Sequence, residues 1–280
     1  QSQGDAKAAQ SLRALLTRSA REGEMVPRSL TPSRGTLSLP GEALLPTTTL
    51  PADRETGARL VDATFPVTTF IPKPIFPPPL ERATQMLLDE WRNAERLSAV
   101  GAPPSMSCLL TGAPGTGKTT LAHWLAAQLE LPVLTVRVDA MMSSFLGTTS
   151  RNIAQVFSFA NRFRCVLLID ELDSLAKVRD DANEVGEIKR VVNALLQNLD
   201  TRATIGLTLG ITNHPNLLDS AVWRRFSAQI EVPLPGWEAR EGIVARHGEA
   251  AQMPAAVVAF LAAVTEGSSG AEIESIVNLY

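Results

Sequence analysis

Apolar positions in this chain fall into two rhythms, short unbroken runs and longer helical stripes, and from Leu80 onward the two alternate. The runs are Ser107–Thr111, Leu131–Val138, Cys165–Ile169 and Thr204–Ile211. Runs this short and uninterrupted suit parallel strands covered on both faces. The stripes between them, Leu80–Leu97, Thr119–Glu130 and Ser150–Asn161, predict helices. Strands alternating with helices predict an α/β fold, a parallel sheet flanked by helices. Beyond Pro235 the pattern changes to about three short helices, one of them the apolar Ala255–Val264, and predicts a small all-α unit.

Ahead of Leu80 the chain is different. Ala6–Glu24 carries Leu12, Leu15, Leu16 and Ala20 on one helical stripe, and eleven of the 19 prolines then lie between Pro27 and Pro79. That composition predicts an extended arm. It reads either as a linker or as an adaptor that docks a partner, because Phe65–Phe76 is rich in large apolar groups for a flexible spacer. The expected division is therefore an arm over 1–79, an α/β core over 80–235 and a helical lid over 236–280.

The run from Gly112 to Thr120, Gly-Ala-Pro-Gly-Thr-Gly-Lys-Thr-Thr, gives this framework its chemistry. Gly112, Gly117, Lys118 and Thr119 occupy the fixed positions of G-x-x-x-x-G-K-[ST], between a predicted strand and a predicted helix. Gly115 and Gly117 let successive backbone N–H groups converge on phosphate oxygens, so the loop as a whole, Gly112, Ala113, Pro114, Gly115, Thr116, Gly117, Lys118, Thr119 and Thr120, is the expected nucleotide-binding stretch. The helix that follows adds its positive end. Lys118 would neutralise β/γ oxygens, and the Thr119 hydroxyl would ligate Mg²⁺.

The Cys165 run closes on Asp170 and Glu171, which emerge at a strand's C-terminal end, where open α/β sheets bind ligands. Asp170 would hold Mg²⁺ through water, and Glu171 would orient and deprotonate an attacking water. The Thr204 run ends on Asn213, a polar amide able to reach the γ-phosphate or its water. Arg224 and Arg225 follow as adjacent cations, which in isolation read as a solvated surface pair.

As an ordered set, GAPGTGKT, LLIDELDSLA, GITNHPNLLDSAVWRRF and EGSSGAEIESI resemble the AAA family of ATPases, in the branch with a second region of homology. The resemblance runs from about Glu81 to the C-terminus. It implies a P-loop NTPase core with a small helical lid, using ATP and Mg²⁺, in a homo-oligomeric ring, commonly a hexamer. Asn213 matches the sensor-1 position. Arg224 and Arg225 match arginine fingers that enter the neighbouring subunit's site. Gly270 and Ala271 match the lid backbone beside the adenine, and His247 a lid position against the nucleoside. Phe145, Leu146 and Gly147 match the pore loop that grips an extended polypeptide, with a second pore loop within Arg179–Gly186. By this resemblance the chain remodels or unfolds protein substrates through a central pore. The alternative is a nucleotide-gated switch or scaffold that recruits an effector such as a protease or nuclease. Two departures stand out: Pro77-Pro78-Pro79 replaces the aspartate-glycine segment that commonly contacts adenine, and the lid, ending at Tyr280, is expected to lack its last helix.

Composition narrows the partners. A net charge of −3 with no long basic run leaves no electrostatic footprint for nucleic acid. No apolar stretch is long enough for a bilayer-spanning helix and no signal-peptide pattern opens the chain, so a cytoplasmic location is expected. Cys108 and Cys165 are expected on adjacent core strands as small buried hydrophobes.

Overall fold

The computed structural model describes residues 41–66, 71–141, 148–177, 185–202, 206–249 and 251–279. The strands are β1 (Glu42–Ala43), β2 (Val61–Thr64), β3 (Ser107–Thr111), β4 (Val133–Val136), β5 (Phe163–Arg164), β6 (Val166–Ile169), β7 (Thr208–Thr212) and β8 (Ala228–Glu231). The helices of the core are α1 (Pro78–Arg92), α2 (Ala94–Ala99), α3 (Lys118–Gln128), α4 (Val138–Met141), α5 (Thr148–Ala160), α6 (Leu172–Lys177), α7 (Val185–Arg202) and α8 (Ser220–Trp223). Three more, α9 (Trp237–Gly248), α10 (Ala255–Val264) and α11 (Gly270–Val277), make the lid.

Six strands form one sheet in the order β2-β4-β6-β7-β3-β8, parallel throughout except for β2, which runs antiparallel on β4. Alternate side chains of each strand go to opposite faces, and this splits the apolar runs between two cores. Leu109, Leu134, Leu167 and Ile169 pack with Ile153, Val156 and Phe157 of α5 and Leu195 of α7. Cys108, Leu110, Val133, Val166, Leu168 and Leu209 pack on the other face with Leu88 and Trp91 of α1 and Leu121 and Leu125 of α3. The α/β fold predicted from the alternation is thus the fold observed.

Three details differ from the sequence expectations. The helix expected over Leu80–Leu97 is broken at Asn93, whose side-chain amide donates to the Asp89 carbonyl (2.7 Å) and ends α1. The cysteines are both buried, yet β7 lies between β3 and the Cys165 segment, so they do not sit on neighbouring strands. The third concerns the segment expected to be arm.

Residues 41–66 are built into the core. Val61–Thr64 zips along Val133–Val136, and Glu42–Ala43 pairs in parallel with Phe163–Arg164. Leu44, Leu60 and Val61 are buried in the α5 core. The Asp53 carboxylate accepts bonds from Asn152 Nδ2 of α5 (2.6 Å) and from the backbone N–H groups of Glu55 and Thr56 (both 2.8 Å). These bonds, led by Asn152, hold the Asp53 pKa down to about 2. Apolar residues spaced among the prolines supply what a composition average conceals: enough burial to fold the strap down. The amphipathic stripe Ala6–Glu24 lies outside the described residues.

The lid closes over its own small core of Val244, Val258, Ile273 and Val277. Its last helix opens with a capping box, Ser269 and Glu272 each bonding the other's backbone N–H.

Candidate active site

Strand order decides what meets what. Because β6, β7 and β3 are neighbours and parallel, their C-terminal ends deliver Asp170-Glu171, Asn213 and the Gly112 loop to one edge of the sheet. There they border a cleft of about 410 Å³, closed on the far side by the lid.

The loop holds its shape through two glycines that no other residue replaces. Gly112 has φ +144°, and a Cβ there would lie 2.2 Å from the Val232 carbonyl oxygen. Gly115 has φ +74°, and a Cβ there would lie 2.6 Å from Ser269 Oγ and 3.1 Å from Ala271 Cβ, both in the lid. The Ala271 N–H donates to the Gly115 carbonyl (3.1 Å), so lid and loop touch directly. Gly117 then caps α3 in a left-handed conformation with no side-chain cap, leaving the first N–H groups of the helix facing the cleft.

Lys118 is buried at 5% exposure and donates to the carbonyls of Gly112 (2.9 Å) and Ala113 (2.7 Å). Burial lowers its pKa, while the nearby Asp170 and Asp173 carboxylates oppose the shift. An ammonium held this way, by carbonyls of the loop it serves, is poised to exchange them for phosphate oxygens.

The Thr119 hydroxyl donates to Asp170 Oδ2 (2.9 Å), and Asp170 Oδ1 accepts from the Glu171 N–H (2.8 Å). Glu171 is exposed to the cleft and adopts φ +53°, a left-handed backbone that costs a non-glycine residue about 1–2 kcal/mol. Asp173, one turn later, accepts from the Thr212 hydroxyl (3.2 Å) and the Asn213 N–H (3.4 Å), fixing the β7 tip against α6.

Most residues singled out in the sequence converge here. Pro114 to Thr120, Asp170, Glu171, Asn213, His247, Gly270 and Ala271 all border the cleft. Gly112 and Ala113 stand behind it as the acceptors for Lys118. His247 comes from α9, with Nδ1 3.6 Å from Glu274 Oε1. Arg224 and Arg225 do not border the cleft of their own chain. Both are exposed, and Arg225 Nε lies 2.5 Å from Asp200 Oδ1 on α7. Phe145, Leu146 and Gly147, and most of Arg179–Gly186, lie outside the described residues.

Sequence reasoning missed Ile75, Phe76, Arg246 and Glu274 on the cleft wall, and Asp173 behind it. The apolar richness of Phe65–Phe76 was the available signal for the first two. Asp173 was signalled by an acid three residues past Asp170, the spacing of one helical turn.

The donor set fits a magnesium nucleotide. Among the described residues no group of three or more His, Cys, Asp or Glu could hold a metal by itself. Thr119 and Asp170 offer two hard oxygen ligands side by side, and Mg²⁺ is typically held by one or two carboxylates together with substrate phosphates. Among the described residues no helix is long and apolar enough to cross a membrane.

Comparison with known proteins agrees with the geometry. Residues 108–234 match the family described as ATPase family associated with various cellular activities (AAA). The chain is 43% identical over 140 residues to an uncharacterized AAA family ATPase, y4kL, of Sinorhizobium fredii, covering 50% of this chain and 42% of that one. It is 34% identical over 206 residues to proteasome-activating nucleotidase 2 of Halobacterium salinarum, covering 70% and 50%. It thus spans half or less of the length of these curated relatives. Its fold resembles the crystal structure of the FIGL-1 AAA domain in complex with ADP, at a TM-score of 0.60 and 27% identity, covering 71% of this chain and 69% of that one.

Proposed function

Because the chain belongs to the AAA family of ATPases, enzymes that hydrolyse ATP, we propose that it spends ATP on remodelling or unfolding proteins as a cytoplasmic homo-oligomeric ring, a hexamer. One observation carries the nucleotide chemistry: Lys118, Thr119, Asp170, Glu171 and Asn213 meet in a single cleft that the lid borders.

In this scheme the loop N–H groups and Lys118 bind the β- and γ-phosphates, positioning them as the larger part of catalysis in phosphoryl transfer. Thr119 and Asp170 would hold Mg²⁺, which would supply neutralisation of phosphate charge. Glu171 takes the proton of the attacking water, a role worth about 10²–10⁴ in rate. Asn213 orients that water from the β7 tip. Arg224 and Arg225, exposed and absent from their own chain's cleft, act on the neighbouring subunit as fingers. A trans arginine is worth about 10³–10⁵ in kcat. Phe145, Leu146 and Gly147 grip the substrate in the pore, an aromatic face packing on any polypeptide.

Steady-state ATPase against protein concentration, for wild type, Glu171→Gln and Arg225→Ala, tests the ring. The rate per subunit rises with concentration in wild type and collapses in both variants. A flat rate indifferent to Arg225→Ala overturns shared sites.

A second reading, a nucleotide-gated switch that recruits a separate effector, draws on the strap. Residues 61–64 hydrogen-bond to the sheet that carries the site, which gives the N-terminal segment a mechanical link to it. Phe145→Ala separates the two: loss of substrate processing with ATPase retained supports the pore, whereas unchanged processing supports the switch.

A further inference from the structure

Residues 51–64 form a hairpin whose two arms are tied to each other. The Leu60 N–H donates to the Pro51 carbonyl (3.0 Å), the Asp53 N–H donates to the Ala58 carbonyl (2.8 Å), and Ala52 bridges Arg59. Each arm holds a different part of the core, and the two parts are consecutive in the chain.

The later arm holds β4. Beyond the Val61–Thr64 ladder, the Leu60 carbonyl accepts from the Arg137 N–H (2.9 Å), and the Arg137 carbonyl accepts from the N–H of Met141 (2.9 Å), the last residue of α4. The earlier arm holds α5. Asn152 Nδ2 donates to Asp53 Oδ2 (2.6 Å) and Gln155 Nε2 to the Ala52 carbonyl (3.1 Å), from positions three apart on one helix face. Between α4 and α5 lie residues 142–147, which include Phe145, Leu146 and Gly147. Arg137 stands five residues before that stretch and Asn152 five after it. One hairpin therefore grips both flanks of the expected substrate loop, and no residue of 41–66 borders the nucleotide cleft.

The polar grip does what packing cannot. Ile153, Val156 and Phe157 already bury α5 against the sheet, but apolar contact is non-directional and tolerates sliding along the helix axis. Hydrogen bonds are directional and fix the register. Asp53 and Asn152 are each only 3% exposed, and such a pair adds little stability over apolar groups of the same shape. What it adds is position. Asp53 Oδ1 also takes the N–H groups of Glu55 and Thr56, so one carboxylate joins the turn of the hairpin to the helix.

We propose that this hairpin braces the substrate loop, with Asp53 and Asn152 as the positioning residues that set where its second flank sits. The brace rests on the pore reading of residues 145–147. It makes substrate engagement, and not nucleotide turnover, the step that the N-terminal segment governs.

The test is the ATPase rate of the full chain against increasing casein, an unfolded polypeptide, at saturating ATP. Asn152→Asp sets two carboxylates against each other, and Asn152→Asp with Asp53→Asn restores one amide facing one carboxylate. In wild type, casein raises the rate. In Asn152→Asp the casein concentration for half the effect rises about tenfold or more, as when the competent fraction of a binding surface falls to a tenth. The rate without casein stays within about twofold of wild type, because the hairpin and the cleft share no partner. The double variant recovers the wild-type casein response to within about threefold. Asn152→Ala, which removes the donor without adding charge, shows the same split in smaller measure and carries the test if thermal melts find Asn152→Asp unfolded. An unaltered casein response overturns the brace. So does a rate without casein that falls in step with that response, or a double variant that does not recover. If casein leaves the wild-type rate unmoved, or Phe145→Ala responds to casein as wild type does, the pore reading fails and the brace with it.

Discussion

Gly115→Ala places one methyl group between the phosphate loop and the lid. At φ +74° the new side chain pays the left-handed cost of about 1–2 kcal/mol. Its methyl would also lie 3.1 Å from Ala271 Cβ and 2.6 Å from Ser269 Oγ. The serine hydroxyl belongs to the capping box of α11, so it cannot swing away freely. Relief comes by moving the lid, which breaks the Ala271 N–H to Gly115 carbonyl bond, worth about 0.5–1.5 kcal/mol. Together these make the closed cleft about 1.5–3.5 kcal/mol harder to form. If the nucleotide needs the closed cleft, the dissociation constant for ATPγS rises about 10- to 400-fold. Calorimetry measures that, and hydrogen exchange of the 269–277 segment reports whether the Ala271 amide has lost its protection. Gly57→Ala is the control. It has a similar φ of +72° with nothing within 4 Å, so it lowers the melting temperature and leaves affinity untouched. A Gly115→Ala protein that binds within about twofold of wild type, with the Ala271 amide still protected, would refute the claim that lid and loop close the site together.

Three further outcomes follow from the same structure. Asp53 has its pKa drawn from 3.8 down to about 2, so its contribution to stability is complete above the ordinary carboxylate value and fades as pH falls toward 2. The difference in urea midpoint between wild type and Asp53→Asn therefore narrows through that window, and a difference independent of pH contradicts the Asn152 clip. Burial alone pushes the Cys108 thiol up to about 12, so iodoacetamide at mildly alkaline pH leaves it unmodified in the native protein and labels it in urea, as mass spectrometry will show. Asp200→Ala removes the partner of Arg225 but changes stability by no more than about 1 kcal/mol, because both side chains are substantially exposed. A larger loss in a denaturant titration would mean that the pair is structural.

The parts of this protein legible in its sequence are the parts governed by near neighbours. Nine residues from Gly112 to Thr120 specify a phosphate loop because its positive φ angles, the lysine folding back on its own loop and the helix start each span a few residues, whereas the close approaches at Gly112 and Gly115 come from Val232 and the lid. The strands ending in Asp170 and Asn213 are legible for a similar reason, as apolar runs closed by polar tips. AAA membership and the α/β core were within reach of these motifs taken in order.

What lay beyond the sequence depends on strand order and on contacts between distant segments. That β7 lies between β3 and β6 separates Cys108 from Cys165 and brings Asn213 between the two acidic and glycine-rich strand ends. No local pattern encodes that order. The strap over 41–66 is held by Asn152, about a hundred residues away, so its prolines read as an arm until the partner is seen. Ile75, Phe76 and Arg246 become cleft residues only when α1 and the lid are packed around the loop. Chemistry written in short motifs survives reading in one dimension. The walls of the site do not, because they are assembled by burial from side chains that are neighbours only in the folded chain.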